Sequence, residues 1–181
     1  MQLRAACAAL RRGGVIAYPT EGVWALGCDP LNAMAVDRLL ALKRRDWRKG
    51  LILIAADFGQ LEPFVVLPSR TAQKRAFSTW PGPHTWVFPA SDHTPMWISG
   101  ERDSVAIRVT AHPLARELCL AYGGPIVSTS ANRAGHPPAL SATAVRLNFP
   151  GRLDALLPGP LGGREGPTVI RDVISGMILR R

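Results

Sequence analysis

Short apolar runs alternate along this chain with amphipathic stretches of helical period. Positions 2–12 read as a helix, and Gly13 and Gly14 stop it. Val15–Tyr18 is an apolar strand. Asn32 suits the N-cap of a helix from Ala33 to about Arg44. Leu51–Ala55 is apolar throughout, and its lack of alternation predicts a strand covered on both faces. A short helix is expected after Asp57, and another from Ser69 to Trp80, stopped by Pro81-Gly82-Pro83. Thr85–Phe88 and Ser104–Val109 read as strands. Pro113 fits the first turn of a helix running to Tyr122. Ile126–Ser128 is a strand leading into Thr129-Ser130-Ala131-Asn132, Ser141 caps a short helix, and strands near Leu156, Val169 and Ile178 close the chain. This alternation predicts an α/β (mixed α+β) fold in a single domain over 1–181, a twisted open mixed sheet flanked by helices. The Pro- and Gly-rich segments 89–103 and 158–167 read as loops or lids.

Several of these elements carry polar groups that packing does not require. The first strand runs into Pro19-Thr20-Glu21-Gly22. Pro19 fixes one backbone angle, and Gly22 and Gly27 permit bends or close approaches. A hydroxyl and a carboxylate are thereby held at a strand end, where open α/β sheets bind ligands; a plain strand-to-loop turn gives the same pattern. In 104–109, alternation sends Val105, Ile107 and Val109 to the core and Ser104, Ala106 and Arg108 to the other side. Ser104 and Arg108 then stand about 13 Å apart, enough to touch two ends of one extended ligand. An arginine ion-paired with a neighbouring strand would give the same alternation. Ser128-Thr129-Ser130-Ala131-Asn132 offers hydroxyls and an amide to a phosphate or ribose, or to a turn network of its own. Lys43 continues the stripe of Val36, Leu39 and Leu40. Lys43, Arg44, Arg45, Arg48 and Lys49 crowd together, and such like charges repel unless an anion or solvent offsets them.

The composition sharpens this picture. Lys and Arg number 22 against 13 Asp and Glu, a formal net charge of +9, which points to polyanionic partners. Arginine dominates, and its planar fork suits bidentate phosphate recognition. The cysteines, Cys7, Cys28 and Cys119, are far apart and form neither a CxxC pair nor a zinc spacing. The histidines lack HExxH spacing, and there is no GxxxxGK[ST] or GxSxG segment. No apolar run is long enough to span a bilayer, and Met1–Arg12 has no signal-peptide core. A soluble cytoplasmic protein without membrane association is expected.

Taken in order, the motifs resemble the YrdC/TsaC family, the threonylcarbamoyl-AMP synthases, in their short single-domain form. They are YPTEG-V-W-x-L-G-C-D-P at 18–30, K-R-R at 43–45, K-G-L-I-L-I at 49–54 and W-P-G-P-H-T at 80–85, followed by S-V-A-I-R-V at 104–109, H-P-L at 112–114, V-S-T-S-A-N at 127–132 and I-R-D at 170–172. The resemblance implies a YrdC-like sheet with a basic concave cleft. It also implies a nucleotidyltransfer: L-threonine, bicarbonate or CO2 and ATP, with Mg2+, give threonylcarbamoyl-adenylate and pyrophosphate. The product would serve N6-threonylcarbamoyladenosine formation in tRNA through downstream threonylcarbamoyl-transfer proteins, with tRNA or other RNA on a basic surface. Lys43 and Arg45 would be catalytic and contact ATP together with Ser104, Ser130, Asn132 and Arg180. Thr20, Arg108 and Ser128 would contact threonine. No metal ligand and no general base is assigned to the protein. Asp46, Gly22 and Pro167-Thr168 depart from the family pattern; they predict an altered loop after Arg45, a wider pocket, and an open role for Thr168. The rival readings are a non-catalytic RNA-binding module, such as an RNA-folding or ribosome-assembly factor, and a small-molecule sensor that has lost turnover.

Overall fold

A computed structural model describes residues 1–180. Strand β1 (Ile16–Pro19) turns back as a hairpin into β2 (Trp24–Gly27). The remaining strands are β3 (Ile52–Ala55), β4 (His84–Pro89), β5 (Ser104–Val109), β6 (Ile126–Ser130), β7 (Ala155–Leu156), β8 (Val169–Asp172) and β9 (Ile178–Arg180). They form one mixed sheet in the order β7-β1-β2-β6-β3-β5-β4-β8-β9. Pairing is antiparallel except for β1 with β7, β3 with β5, and β4 with β8. Among the described residues six α-helices flank it: α1 (Gln2–Arg11), α2 (Ala33–Lys43), α3 (Arg70–Phe77), α4 (Met96–Ser99), α5 (Pro113–Tyr122) and α6 (Ala142–Asn148).

The two faces of the sheet bury separate cores. Ile16, Tyr18, Ile54 and Ile126 pack with Ala6 and Leu10 of α1 and Leu118 of α5. Val15, Ala17, Leu53, Trp86, Phe88, Val105 and Ile107 pack on the opposite side with Val36 and Leu39 of α2. This explains why β1 and β3 are apolar without alternation: each neighbouring residue meets a different core. It also confirms the alternation of β5, whose Ala106 and Arg108 point away from the Ile107 core. The Asn32 cap is present, its Oδ1 accepting from the Ala35 amide at 3.1 Å, and Ser141 caps α6 in the same way at 3.1 Å. All three thiols are free and buried.

Three expectations need correcting. Trp24–Gly27, where the sequence pattern predicts no element, is a buried strand, because Ala25 and Leu26 pair with Ser130 and Thr129 of β6. The helix from Ser69 ends at Phe77 rather than Trp80; the Trp80 ring leaves the helix and its Nε1 donates to the His84 carbonyl at 2.7 Å. The 89–103 segment contains the single turn α4, whose Ile98 carbonyl accepts from the Leu51 amide at 2.9 Å.

Candidate active site

Two cavities adjoin on the sheet face that carries Ile52, Ala106 and Arg108. The smaller, about 100 Å³, lies among Thr20, Val23, Arg108, Ser128, Ser130 and Thr168. The larger, about 630 Å³, has Ser104 and the cations Arg45, Lys49, Arg102 and Arg180 on a wall that includes Ile52 and Ile98. Arg45, Ile52 and Arg180 line both, so one ligand in each would meet at these residues. Among the described residues, neither lining contains an acidic side chain.

Arg108 is only 4% exposed and sits in a polar nest. Its Nη1 donates to Thr168 Oγ1 at 2.8 Å and Thr85 Oγ1 at 3.3 Å, and its Nη2 lies 3.5 Å from Glu21 Oε2. Glu21 is itself buried, with Oε1 accepting from Thr110 Oγ1 at 2.7 Å and the Ala111 amide at 3.2 Å. Burial alone would raise the Glu21 carboxyl; the Arg108 charge and these bonds outweigh it and hold it below the usual carboxylate range. The ion partner of Arg108 is thus Glu21 in the β1–β2 turn rather than a residue of a neighbouring strand, and Arg108 also lines the smaller cavity. Arg108 Nε and Glu21 Oε2 are buried without a hydrogen-bond partner. Thr20 spends its hydroxyl hydrogen on the Val23 carbonyl at 2.7 Å, leaving its lone pairs to the cavity.

The segment 158–167 crosses this site as a strap. The Gly162 amide donates to the Thr20 carbonyl at 3.1 Å and the Arg164 amide to the Glu21 carbonyl at 2.9 Å. Gly22 does not widen the pocket, because the Gly166 carbonyl occupies the space: a Cβ on Gly22 would stand 2.0 Å from that oxygen. Gly22→Ala is therefore expected to push the strap off the turn. The overpacking should destabilise the fold by about 1–3 kcal/mol and loosen the cavity wall formed by Gly166, Pro167 and Thr168. A thermal melt and a titration with L-threonine, the ligand that the family resemblance implies, check this; unchanged values in both would show that the strap does not depend on this contact.

On the other side of the site, Lys43 is buried and lies outside both linings. Its Nζ donates to the Ser130 carbonyl and to the Asn132 carbonyl at 2.9 Å. Ser130 Oγ donates to Asn132 Oδ1 at 2.6 Å, and Asn132 Nδ2 closes the following turn on the His136 carbonyl at 2.6 Å. The lysine thus holds the backbone that presents Ser130. Burial, with help from the Arg45 charge, pushes its amine down to about 7. Arg45 follows the left-handed residue Arg44 (φ 51), and its Nη2 donates to the Gly50 carbonyl at 2.9 Å. Burial, then the neighbouring Arg180 and Arg102, lower its guanidinium from its ordinary value. Asp46 caps the next turn, accepting from the Arg48 amide at 3.0 Å.

Thr20, Arg45, Ser104, Arg108, Ser128, Ser130 and Arg180 thus come together around the two cavities, whereas Lys43 and Asn132 support the wall from behind. Sequence reasoning assigned no role to Glu21, Thr85 or Arg102 and left Thr168 open. Glu21 was visible as a carboxylate at a strand end; the contacts of Thr85 and Thr168 left no trace in the sequence.

The Sua5/YciO/YrdC domain family, described as telomere recombination, matches residues 8–181. The chain belongs to this family. Among Sua5/YciO/YrdC relatives, the threonylcarbamoyl-AMP synthase of Halorhodospira halophila is 59% identical over 99% of this chain and 94% of its own length. That of Coxiella burnetii is 53% identical over 94% of this chain and 92% of its own length. P. abyssi Sua5 complexed with L-threonine superposes with a TM-score of 0.91 at 34% identity over 97% of this chain; the chain spans 52% of that protein. E. coli YciO shares the fold, with a TM-score of 0.87 at 23% identity.

Proposed function

We infer that the protein is a threonylcarbamoyl-AMP synthase, joining L-threonine, bicarbonate or CO2 and ATP into threonylcarbamoyl-adenylate with release of pyrophosphate. The observation that carries this reading is the pair of adjoining cavities, one small and lined by hydroxyls and a buried arginine, one large and lined by cations, in a chain whose near-full-length relatives bear that name.

In this reading the threonine carboxylate takes the Arg108 fork, with Thr168 beside it, and the substrate hydroxyl faces Thr20 and Ser128. ATP occupies the larger cavity, its phosphates towards Arg45, Lys49, Arg102 and Arg180, with Ser104 on the same wall. In this reading these cations are the basic side of the cleft that the family resemblance implies. The neutral amine of threonine attacks the carbon of CO2 and gives up one proton to solvent, leaving a carbamate; from bicarbonate the same carbamate forms with loss of water. A carbamate oxygen then attacks the α-phosphorus, and pyrophosphate leaves with the phosphorus–oxygen bonding pair. The protein supplies position and charge for this displacement. Arg45 and Arg180, where the cavities meet, stabilise the charge that develops there; Lys43 keeps Ser130 and Asn132 in place behind them.

Among the described residues no group of three His, Cys, Asp or Glu side chains could hold a metal ion. A magnesium ion would accompany the triphosphate through the phosphate oxygens and neutralise part of its charge. The product would pass in the cytoplasm to tRNA threonylcarbamoyl-transfer proteins, with tRNA on the basic surface.

Pyrophosphate release is expected only with ATP, bicarbonate and L-threonine together. The discrimination against serine is expected to be on the order of tenfold to 200-fold in kcat/KM, the worth of one methyl group. A coupled pyrophosphate assay with mass spectrometry of the adenylate tests this; equal kcat/KM with serine, or release without amino acid, would overturn the reading.

A further inference from the structure

Thr85 lies on β4, the strand beside Arg108, and its side chain is fully buried. It lines neither cavity of the site. Packing in a strand would accept valine in its place, since the two side chains have nearly the same shape. The hydroxyl therefore needs its own account.

Thr85 Oγ1, Thr168 Oγ1 and Arg108 Nη1 form a closed triangle with sides of 3.1, 2.8 and 3.3 Å. The hydrogens in it follow from elementary accounting. Arg108 has no acceptor, so it donates to both hydroxyls. Thr85 has no other partner among the described residues, and a fully buried hydroxyl hydrogen left unpaired is costly. Its hydrogen must therefore go to Thr168 Oγ1. Both lone pairs of Thr168 are then occupied, one by Arg108 and one by Thr85, and its own hydrogen is directed to the remaining side. Thr168 lines the smaller cavity beside Arg108.

We propose that Thr85 is a positioning residue for the amino-acid subsite: it locks the Thr168 hydroxyl as a donor into the cavity and fixes the Arg108 fork beside it. The proposal rests on the reading of the smaller cavity as the threonine site. Thr85 touches no substrate; it makes two donors converge on one carboxylate and ties the end of the strap, at Thr168, to the sheet.

The test compares wild-type, Thr85→Val and Thr85→Ser proteins by pyrophosphate release. Threonine is varied at saturating ATP and bicarbonate, then ATP at saturating threonine, with thermal melts alongside. Thr85→Val should raise KM for threonine about tenfold. KM for ATP should stay within about twofold, and Thr85→Ser, which restores the hydroxyl, should return KM for threonine to within about threefold of wild type. In a Thr168→Val background the valine at 85 should add little further loss, because the two hydroxyls act as one unit. A valine variant with wild-type kinetics, or one in which both KM values rise together and serine does not rescue, overturns the role of Thr85. If Thr85→Val does not fold, Thr85→Ala carries the same comparison without added bulk. A wild-type protein that releases pyrophosphate without threonine would instead overturn the functional reading itself.

Discussion

Arg108→Ala is expected to lower both stability and threonine use, and a second substitution should separate the two effects. Arg108 and Glu21 are a buried pair with side-chain exposures of 5% and 8%. Removing one partner of such a pair leaves the other charge uncompensated, at a cost of about 3–5 kcal/mol. In a domain of this size, each kcal/mol moves Tm by roughly 2–4 °C. The same change removes the cation that the threonine carboxylate needs, a loss of about 1.5–3 kcal/mol, or roughly ten- to 150-fold in affinity. Arg108→Ala combined with Glu21→Gln removes both charges, so much of the stability should return while threonine binding stays lost. Arg108→Lys should recover only part of the binding, since an ammonium cannot reproduce the planar fork. Thermal melts and threonine calorimetry on the three variants decide this. An Arg108→Ala protein that melts and binds threonine like the wild type would show that the arginine neither balances Glu21 nor receives substrate.

The contribution of Lys43 to stability is expected to rise with pH between about 7 and the ordinary lysine range. Its amine, ordinarily at 10.5, is pushed down to about 7 by burial. Below the lower value both the folded and unfolded chains carry the proton at this position. Between the two values the unfolded chain binds it and the folded chain does not, so folding becomes more favourable as pH increases. One proton over this window corresponds to a contribution on the order of 3–5 kcal/mol, at about 1.4 kcal/mol per pH unit. Lys43→Met keeps the stem and removes the titrating group, and should flatten this slope. It should also release the Ser130 and Asn132 carbonyls, so that ATP use suffers through a displaced wall. Urea midpoints from pH 6 to 10 for both proteins check the first effect. Parallel curves for wild type and variant would place the amine at its ordinary value in the folded protein.

Much of the fold was legible in the chain because its signals are local. The Asn32 and Ser141 caps, the proline that opens α5 and the unbroken apolar runs of β1 and β3 each depend on near neighbours, and each stands where expected. Strand β2 was not legible: Trp24–Gly27 is flanked by glycines and a polar turn, and only its pairing between β1 and β6 makes it a strand.

The sequence by itself determined the alternating elements, the two-sided burial of the central strands, the outward face of Ser104 and Arg108, and the ordered motifs that mark the family. These follow from side-chain period, backbone restriction and residue chemistry, which the chain carries wherever it folds. Only the tertiary structure decided which polar groups meet. Glu21 lies 87 positions before Arg108 and Thr168 lies 60 after it, yet they share one nest. Lys43 spends its amine hydrogens on backbone carbonyls of a distant strand end, and the strap fills the space that Gly22 leaves open. Such contacts have no local signal, because buried donors and acceptors are satisfied by whatever the folded sheet brings within reach, at any separation along the chain.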